Sequence, residues 1–145
     1  MLPGANKYKL VLVEDAEDDV LLFEMALKRT SLDQEFAIVQ RFETGDAAIA
    51  YFTEGQSNAN PTSWPDIVVL DLNLPGLNGF EIMEWMRGLK NPPIVAVFTT
   101  SQELEEHKRA RALGAAVTEA KNFETDEFTR FMRGLGKLAD ERRQR

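Results

Sequence analysis

The sequence predicts an α/β protein in which five parallel strands are wrapped by five helices. Three observations carry this. Short apolar runs alternate with amphipathic stretches along all 145 residues. The runs VLV at 11–13 and IVVL at 67–70 are apolar at every position, as strands covered on both faces are. Each run is followed by a helix-like segment, and β-α alternation closes into a parallel sheet with helices on both faces. A flavodoxin-like, doubly wound sheet in the order 2-1-3-4-5 suits this length. It places the functional crevice at the carboxyl ends of the strands, near strands 1 and 3.

The elements follow in order. Residues 9–13, KLVLV, read as the first strand. Residues 18–29 form a helix, with Val20, Leu21, Phe23, Met25 and Leu27 spread at helical spacing. The second strand is EFAIVQRF at 35–42, and Thr44-Gly45-Asp46 opens a short helix through Tyr51 and Phe52. Gly, Ser, Asn and two prolines mark 53–65 as a loop. After the third strand at 67–70, Asn78-Gly79 caps a helix carrying Phe80, Ile82, Met83 and Met86. PIVAVF at 93–98 is the fourth strand, and a polar helix over 102–113 stops at Gly114, a C-terminal cap signal. Residues 115–120 form a weak fifth strand, with the polar Glu119 suited to a sheet edge. A last helix over 125–139 stripes Phe128, Phe131, Met132, Leu135 and Leu138, and residues 137–145 read as a tail. The whole is one domain over 1–145, without internal repeats.

Composition excludes several functions. The net charge is -7, the wrong sign for a nucleic-acid surface. There is no cysteine, so neither a disulfide framework nor a thiolate zinc site is possible. No apolar run approaches a membrane span, and the N-terminal residues lack a signal-peptide pattern. A cytoplasmic location is expected. The basic residues Arg133, Lys137, Arg142, Arg143 and Arg145 suit the C-terminal end of a helix.

Chemistry collects at the strand tips. Strand 1 ends in Glu14-Asp15, strand 3 in Asp71 and strand 4 in Thr99-Thr100-Ser101, and Lys121 stands just past strand 5. Converging carboxylates repel and raise one another's pKa values. A hard divalent cation such as Mg²⁺ resolves this with oxygen ligands. A lysine charge and a threonine hydroxyl complete a site for a phosphoryl group. Asp71 is the expected acceptor, because a carboxylate can form an acyl phosphate and the strand tip holds it rigidly beside an open turn.

The stretches VLVEDAEDD, VLDLNLPGLNGFEIM, VAVFTTSQ and GAAVTEAKN, in this order, resemble the receiver domain of a two-component response regulator. The pattern VEDxxDD with DLNLPGxxG is similar to single-domain regulators that partner phytochrome histidine kinases. The resemblance implies Asp71 as phosphoacceptor, Glu14 and Asp15 as the acidic pair, and Asp15, Asp71 and the Asn73 carbonyl as Mg²⁺ ligands. It selects Thr99 as the hydroxyl that follows the phosphoryl group, and Lys121 as its cationic partner. It also implies a sensor histidine kinase as donor, with the bacteriophytochrome kind as the candidate. With no output domain expected in 145 residues, output would be by protein association or relay, and the chain would be no turnover enzyme.

Two positions depart from the family pattern. Where the family has a proline in a cis bond after the lysine, Asn122 stands, and a trans bond is expected because a cis non-prolyl bond costs roughly 3 kcal/mol. Where the family carries an inward-rotating aromatic residue, the switch position holds Thr118, whose small side chain offers little volume to exchange. Two rival readings follow. A degenerate receiver would bind constitutively. A phosphatase of the haloacid-dehalogenase kind would need a second aspartate two residues after the nucleophile, where Asn73 stands. Asp18 and Asp19 read as solvated acids of a first helical turn, and His107, the single histidine, as a solvent-exposed residue. The apolar stripe through Leu138 raises the expectation of a homodimer through the C-terminal helix.

Overall fold

The computed structural model describes residues 7–57 and 64–144. Five strands, β1 (Tyr8–Val13), β2 (Phe36–Phe42), β3 (Ile67–Leu70), β4 (Ile94–Thr99) and β5 (Val117–Ala120), alternate with five helices. These are α1 (Glu17–Arg29), α2 (Gly45–Ser57), α3 (Gly79–Met86), α4 (Leu104–Ala112) and α5 (Thr125–Arg143). All strand pairings are parallel and the order is β2-β1-β3-β4-β5, the flavodoxin-like arrangement expected from the alternation.

Strand side chains point alternately to the two faces, so an all-apolar run feeds two cores. Val11, Val13, Val68, Leu70, Val95 and Val97 pack against Ala48, Phe52, Ile82, Met83, Met86 and Ala110 of α2, α3 and α4. Leu10, Leu12, Ile67, Val69, Ala96 and Phe98 pack against α1 and α5, through Phe23, Ala26 and Leu27 on one side and Phe128, Phe131, Met132 and Leu135 on the other. Phe23 meets Phe98 and Phe128 edge-on at 6.0 and 5.1 Å, a favoured aromatic geometry.

Several boundaries differ from the sequence expectation. The second helix runs on to Ser57. Its late hydroxyls turn back on the helix, with Thr53 Oγ1 donating to Ile49 O at 2.8 Å and Ser57 Oγ to Thr53 O at 3.3 Å. The rest of the expected loop falls partly on residues 58–63, outside the described residues. An unexpected 3-10 turn, Leu32–Gln34, buries Leu32 before β2. The fifth strand starts only at Val117, because Ala115 N donates to Ala110 O at 3.0 Å and so belongs to the end of α4. Gly114 supplies that reversal with φ 111°, a conformation that suits glycine.

The expected tail over 137–145 is helical as far as Arg143. Gly134 and Gly136 do not end α5, because burial of Leu135 and Ala139 outweighs their propensity cost of about 1 kcal/mol each. Phe128, Phe131 and Leu135 are spent on the chain's own sheet, so of the stripe that raised the expectation of a homodimer the half-buried Leu138 stays partly exposed. Among the described residues, no helix is long and apolar enough to cross a membrane.

Candidate functional site

Register aligns the strand tips. Val13 pairs with Leu70, Leu70 with Val97 and Thr99 with Ala120. Each pairing leaves a polar residue one or two positions on, at one end of the sheet. Backbone bonds extend the alignment past the strands: Asp71 N donates to Val13 O at 3.1 Å, Glu14 N to Phe42 O at 2.9 Å and Lys121 N to Thr99 O at 2.6 Å.

The chain after Asp71 is locked by helix-cap chemistry. Asn78 and Glu81 form a reciprocal capping box at the start of α3, with bonds of 3.0 and 3.1 Å. Gly79 N donates to Leu72 O at 3.0 Å. A Cβ at Gly79 would stand 2.7 Å from Asp71 O and 2.8 Å from Leu72 Cα. Absence of a side chain there lets the helix start close up behind Asp71.

Glu14, Asp15 and Asp71 bring carboxylate oxygens within 4.8 Å of one another. Glu14 and Asp71 are buried while Asp15 is exposed, so the cluster is open on one side. Asp71 Oδ1 accepts from Asn73 N at 3.3 Å. Lys121, its side chain 6% exposed, places Nζ 2.6 Å from Glu14 Oε1, 2.7 Å from Asp19 Oδ2 and 3.3 Å from Asp71 Oδ2. Three carboxylates thus share one ammonium. Burial works against the lysine's charge, but hydrogen bonds to Asp19 and Glu14 and the charge of Asp71 outweigh it, so its pKa is held above the ordinary lysine value. Burial pushes Glu14 above the ordinary carboxylate range and the neighbouring Asp71 adds to this, while the Lys121 hydrogen bond opposes it.

The structure therefore brings together Glu14, Asp15, Asp71 and Lys121. Thr99, fully buried at the tip of β4, accepts from Ser101 N at 3.3 Å through Oγ1. Asn73 is exposed beside Asp71. The described residues hold no cis peptide bond, in line with the trans bond expected at Asn122. Asn122 Oδ1 instead accepts from Glu124 N at 3.0 Å and turns the chain into α5.

Two expectations are corrected. Asp19 is no free solvated acid, because it pairs with Lys121. No local pattern marked it, because its partner lies 102 positions away in sequence. His107 is not solvent-exposed but partly buried. Its Nε2 lies 2.8 Å from Ser101 O and its Nδ1 2.6 Å from Thr118 Oγ1. A carbonyl only accepts, so Nε2 carries a proton, and in the neutral ring Thr118 donates to Nδ1. Sequence reading also missed Arg41 on β2, whose guanidinium donates to Glu14 O at 3.1 Å and braces the acidic turn.

Hard oxygen donors clustered at this spacing fit a divalent cation. The arrangement of a rigid carboxylate, a cation site and a fixed ammonium can stabilise a phosphoryl group on Asp71.

Response regulator Rcp1 of Synechocystis sp. is 33% identical over 97 residues, covering 65% of this chain and 63% of that protein. The crystal structure of the phosphorylated cyanobacterial phytochrome response regulator RcpA matches with TM-score 0.70 and 27% identity over 91% of this chain and 93% of that one. The Mn(2+)-bound form of response regulator Rcp1 matches with TM-score 0.62 and 26% identity over 89% of this chain and 90% of that one. The family model for the response regulator receiver domain matches residues 10–133, nearly the whole sheet and its helices, and on that extent the chain belongs to the response regulator receiver domain family.

Proposed function

We propose that the chain is a phosphoryl-accepting signalling switch whose acceptor is Asp71. The observation that carries this is the buried Asp71 carboxylate, in contact with Lys121 and within 4.8 Å of Glu14 and Asp15 ligand atoms. In the reaction an Asp71 oxygen attacks the phosphorus of a phosphohistidine on a sensor kinase. The P–N bond breaks, the imidazole leaves with its electron pair and takes up a proton, and an acyl phosphate forms on Asp71. Lys121 offers its ammonium to a phosphoryl oxygen, and Thr99 its hydroxyl to another. Asp15, Asp71 and the Asn73 carbonyl would hold Mg²⁺, with Glu14 behind them; the bound ion supplies positive charge against the phosphoryl oxygens.

The likeness to Rcp1 and to the phytochrome response regulator RcpA supports a phytochrome-type histidine kinase as the donor. On this reading the chain works in the cytoplasm and its output runs by protein association or relay. A turnover phosphatase is disfavoured because the residue two past Asp71 is the amide Asn73, which cannot serve as general acid or base. Incubation with Mg²⁺ and phosphoramidate, read by intact mass, is the test. The unsubstituted chain gains one phosphoryl group and Asp71→Asn gains none; equal labelling of Asp71→Asn, or labelling unaffected by excess chelator, overturns the assignment.

A further inference from the structure

The Lys121 ammonium has three N–H donors and three carboxylate neighbours. Its contacts to Glu14 and Asp19, at 2.6 and 2.7 Å, are short; its contact to Asp71 is the long one, at 3.3 Å. Glu14 belongs to the group of oxygens that can hold a metal, with Asp15 and Asp71; Asp19 does not. A cation held by that group would compete with Lys121 for Glu14 and Asp71, whereas Asp19 lies outside the group. Asp19 is thus the partner of Lys121 whose grip does not depend on metal.

Asp19 is also rigidly placed. It lies in the first turn of α1, where its backbone N–H donates to Ala16 O at 3.1 Å and the helix dipole favours its charge. The helix is pinned to the sheet by Phe23, Ala26 and Leu27. Its side chain is 25% exposed, at the rim of the site. The pair is separated by 102 positions in sequence, so it is a tertiary contact rather than a neighbour effect.

We propose that Asp19 is a positioning residue for phosphoryl transfer, holding the Lys121 ammonium back from Asp71 so that the acceptor carboxylate stays nucleophilic and one N–H, engaged only by the long 3.3 Å bond to Asp71, can pass to the incoming phosphoryl group. This rests on Asp71 being the acceptor. Without Asp19 the ammonium closes on Glu14 and Asp71, which neutralises the nucleophile and occupies the donor. Simple removal of a negative charge has the opposite sign, because it would attract an anionic phosphodonor. The direction of the effect therefore separates positioning from bulk charge.

The experiment measures initial rates of labelling by phosphoramidate with Mg²⁺, and Mn²⁺ affinity by calorimetry. The chains are the unsubstituted protein, Asp19→Asn, Asp19→Glu, Lys121→Met and the double variant Asp19→Asn/Lys121→Met. Asp19→Asn is expected to slow labelling about tenfold, Asp19→Glu to recover most of the rate, and Mn²⁺ affinity to fall in Asp19→Asn, because the released ammonium competes with the cation for Glu14 and Asp71. In the Lys121→Met background Asp19→Asn is expected to change nothing further, because its effect runs through the lysine. Labelling by Asp19→Asn at the unsubstituted rate or faster overturns the proposal. So does an equal slowing in the Lys121→Met background, an equal loss of Mn²⁺ affinity on adding Asp19→Asn to Lys121→Met, or an Asp19→Glu chain as slow as Asp19→Asn. If the unsubstituted chain takes no phosphoryl group, the assignment of Asp71 as acceptor fails and this proposal with it; normal labelling with a silent Asp19→Asn sinks the positioning role alone.

Discussion

At the scale of single residues, the site carries more negative charge than its one lysine can satisfy, and Glu14 shows the consequence. It is 4% exposed. Its pKa stands above the ordinary 4.5, first because burial disfavours the charge and then because Asp71 is near, with Lys121 pulling the other way. The folded chain therefore holds this proton more tightly than the unfolded chain. The stability it contributes is fully present below 4.5 and is lost as pH rises through the raised value. Glu14→Gln removes this slope. In chelator, thermal melts between about pH 4 and 7 should show the unsubstituted chain losing more stability than Glu14→Gln, and equal slopes would contradict the assignment. Added Mg²⁺ should stabilise the unsubstituted chain more than Glu14→Gln, since the cation offsets the charge that the substitution deletes.

At the scale of elements, the contacts that fix α3 and α4 decide how the site is held. Gly79 starts α3 with backbone of Asp71 and Leu72 where a methyl group would go. Gly79→Ala should cost about 1–3 kcal/mol in urea melts and slow labelling of Asp71, because the backbone that must yield is that of the proposed acceptor. On α4, His107 bonds both the loop after β4, at Ser101 O, and β5, at Thr118 Oγ1. Thr118 is 5% exposed, so losing its partner leaves a buried hydroxyl unsatisfied. His107→Ala should therefore cost about 1–3 kcal/mol, and Thr118→Val in the same chain should cost less than additivity predicts, since both polar partners are then gone. Urea melts of the two single variants and the double variant measure this. The small Thr118 side chain is thus part of a polar link to α4.

At the scale of the whole molecule, α5 closes the layer that α1 begins. Its buried residues Phe128, Phe131, Met132, Leu135 and Ala139 run through most of its length. Arg133 reaches Glu35 at 2.6 Å, and Arg142 reaches Asn91 at 2.8 Å and the Pro92 carbonyl. Truncation after Gly134 removes the fully buried Leu135 and Ala139. It should lower stability by at least about 2 kcal/mol, the burial of one leucine side chain, read as a shift of the denaturation midpoint. A truncated chain as stable as the full one would show that the end of α5 is not part of the core.

The sequence by itself determined the fold class and which polar residues meet at the strand tips. Strand tips are local features: an apolar run that stops at Glu14, Asp71 or Thr99 shows where its polar residue goes, and a parallel sheet brings all such tips to one end. The family stretches then selected Thr99 over Thr100, and the buried Thr99 against exposed Thr100 is consistent with that choice. Tertiary structure decided what depends on one element meeting another. Asp19 looked like a first-turn acid until α1 set it 2.7 Å from Lys121. His107 looked solvated on a polar helix until α4 laid it between Ser101 and Thr118. Glycines that weaken an isolated helix were carried through α5 because the sheet buries the leucine between them. Local patterning ranks residues by type and spacing, whereas an ion pair or a buried hydrogen bond between distant segments exists only once packing has fixed their distance and excluded the water that would otherwise take their place.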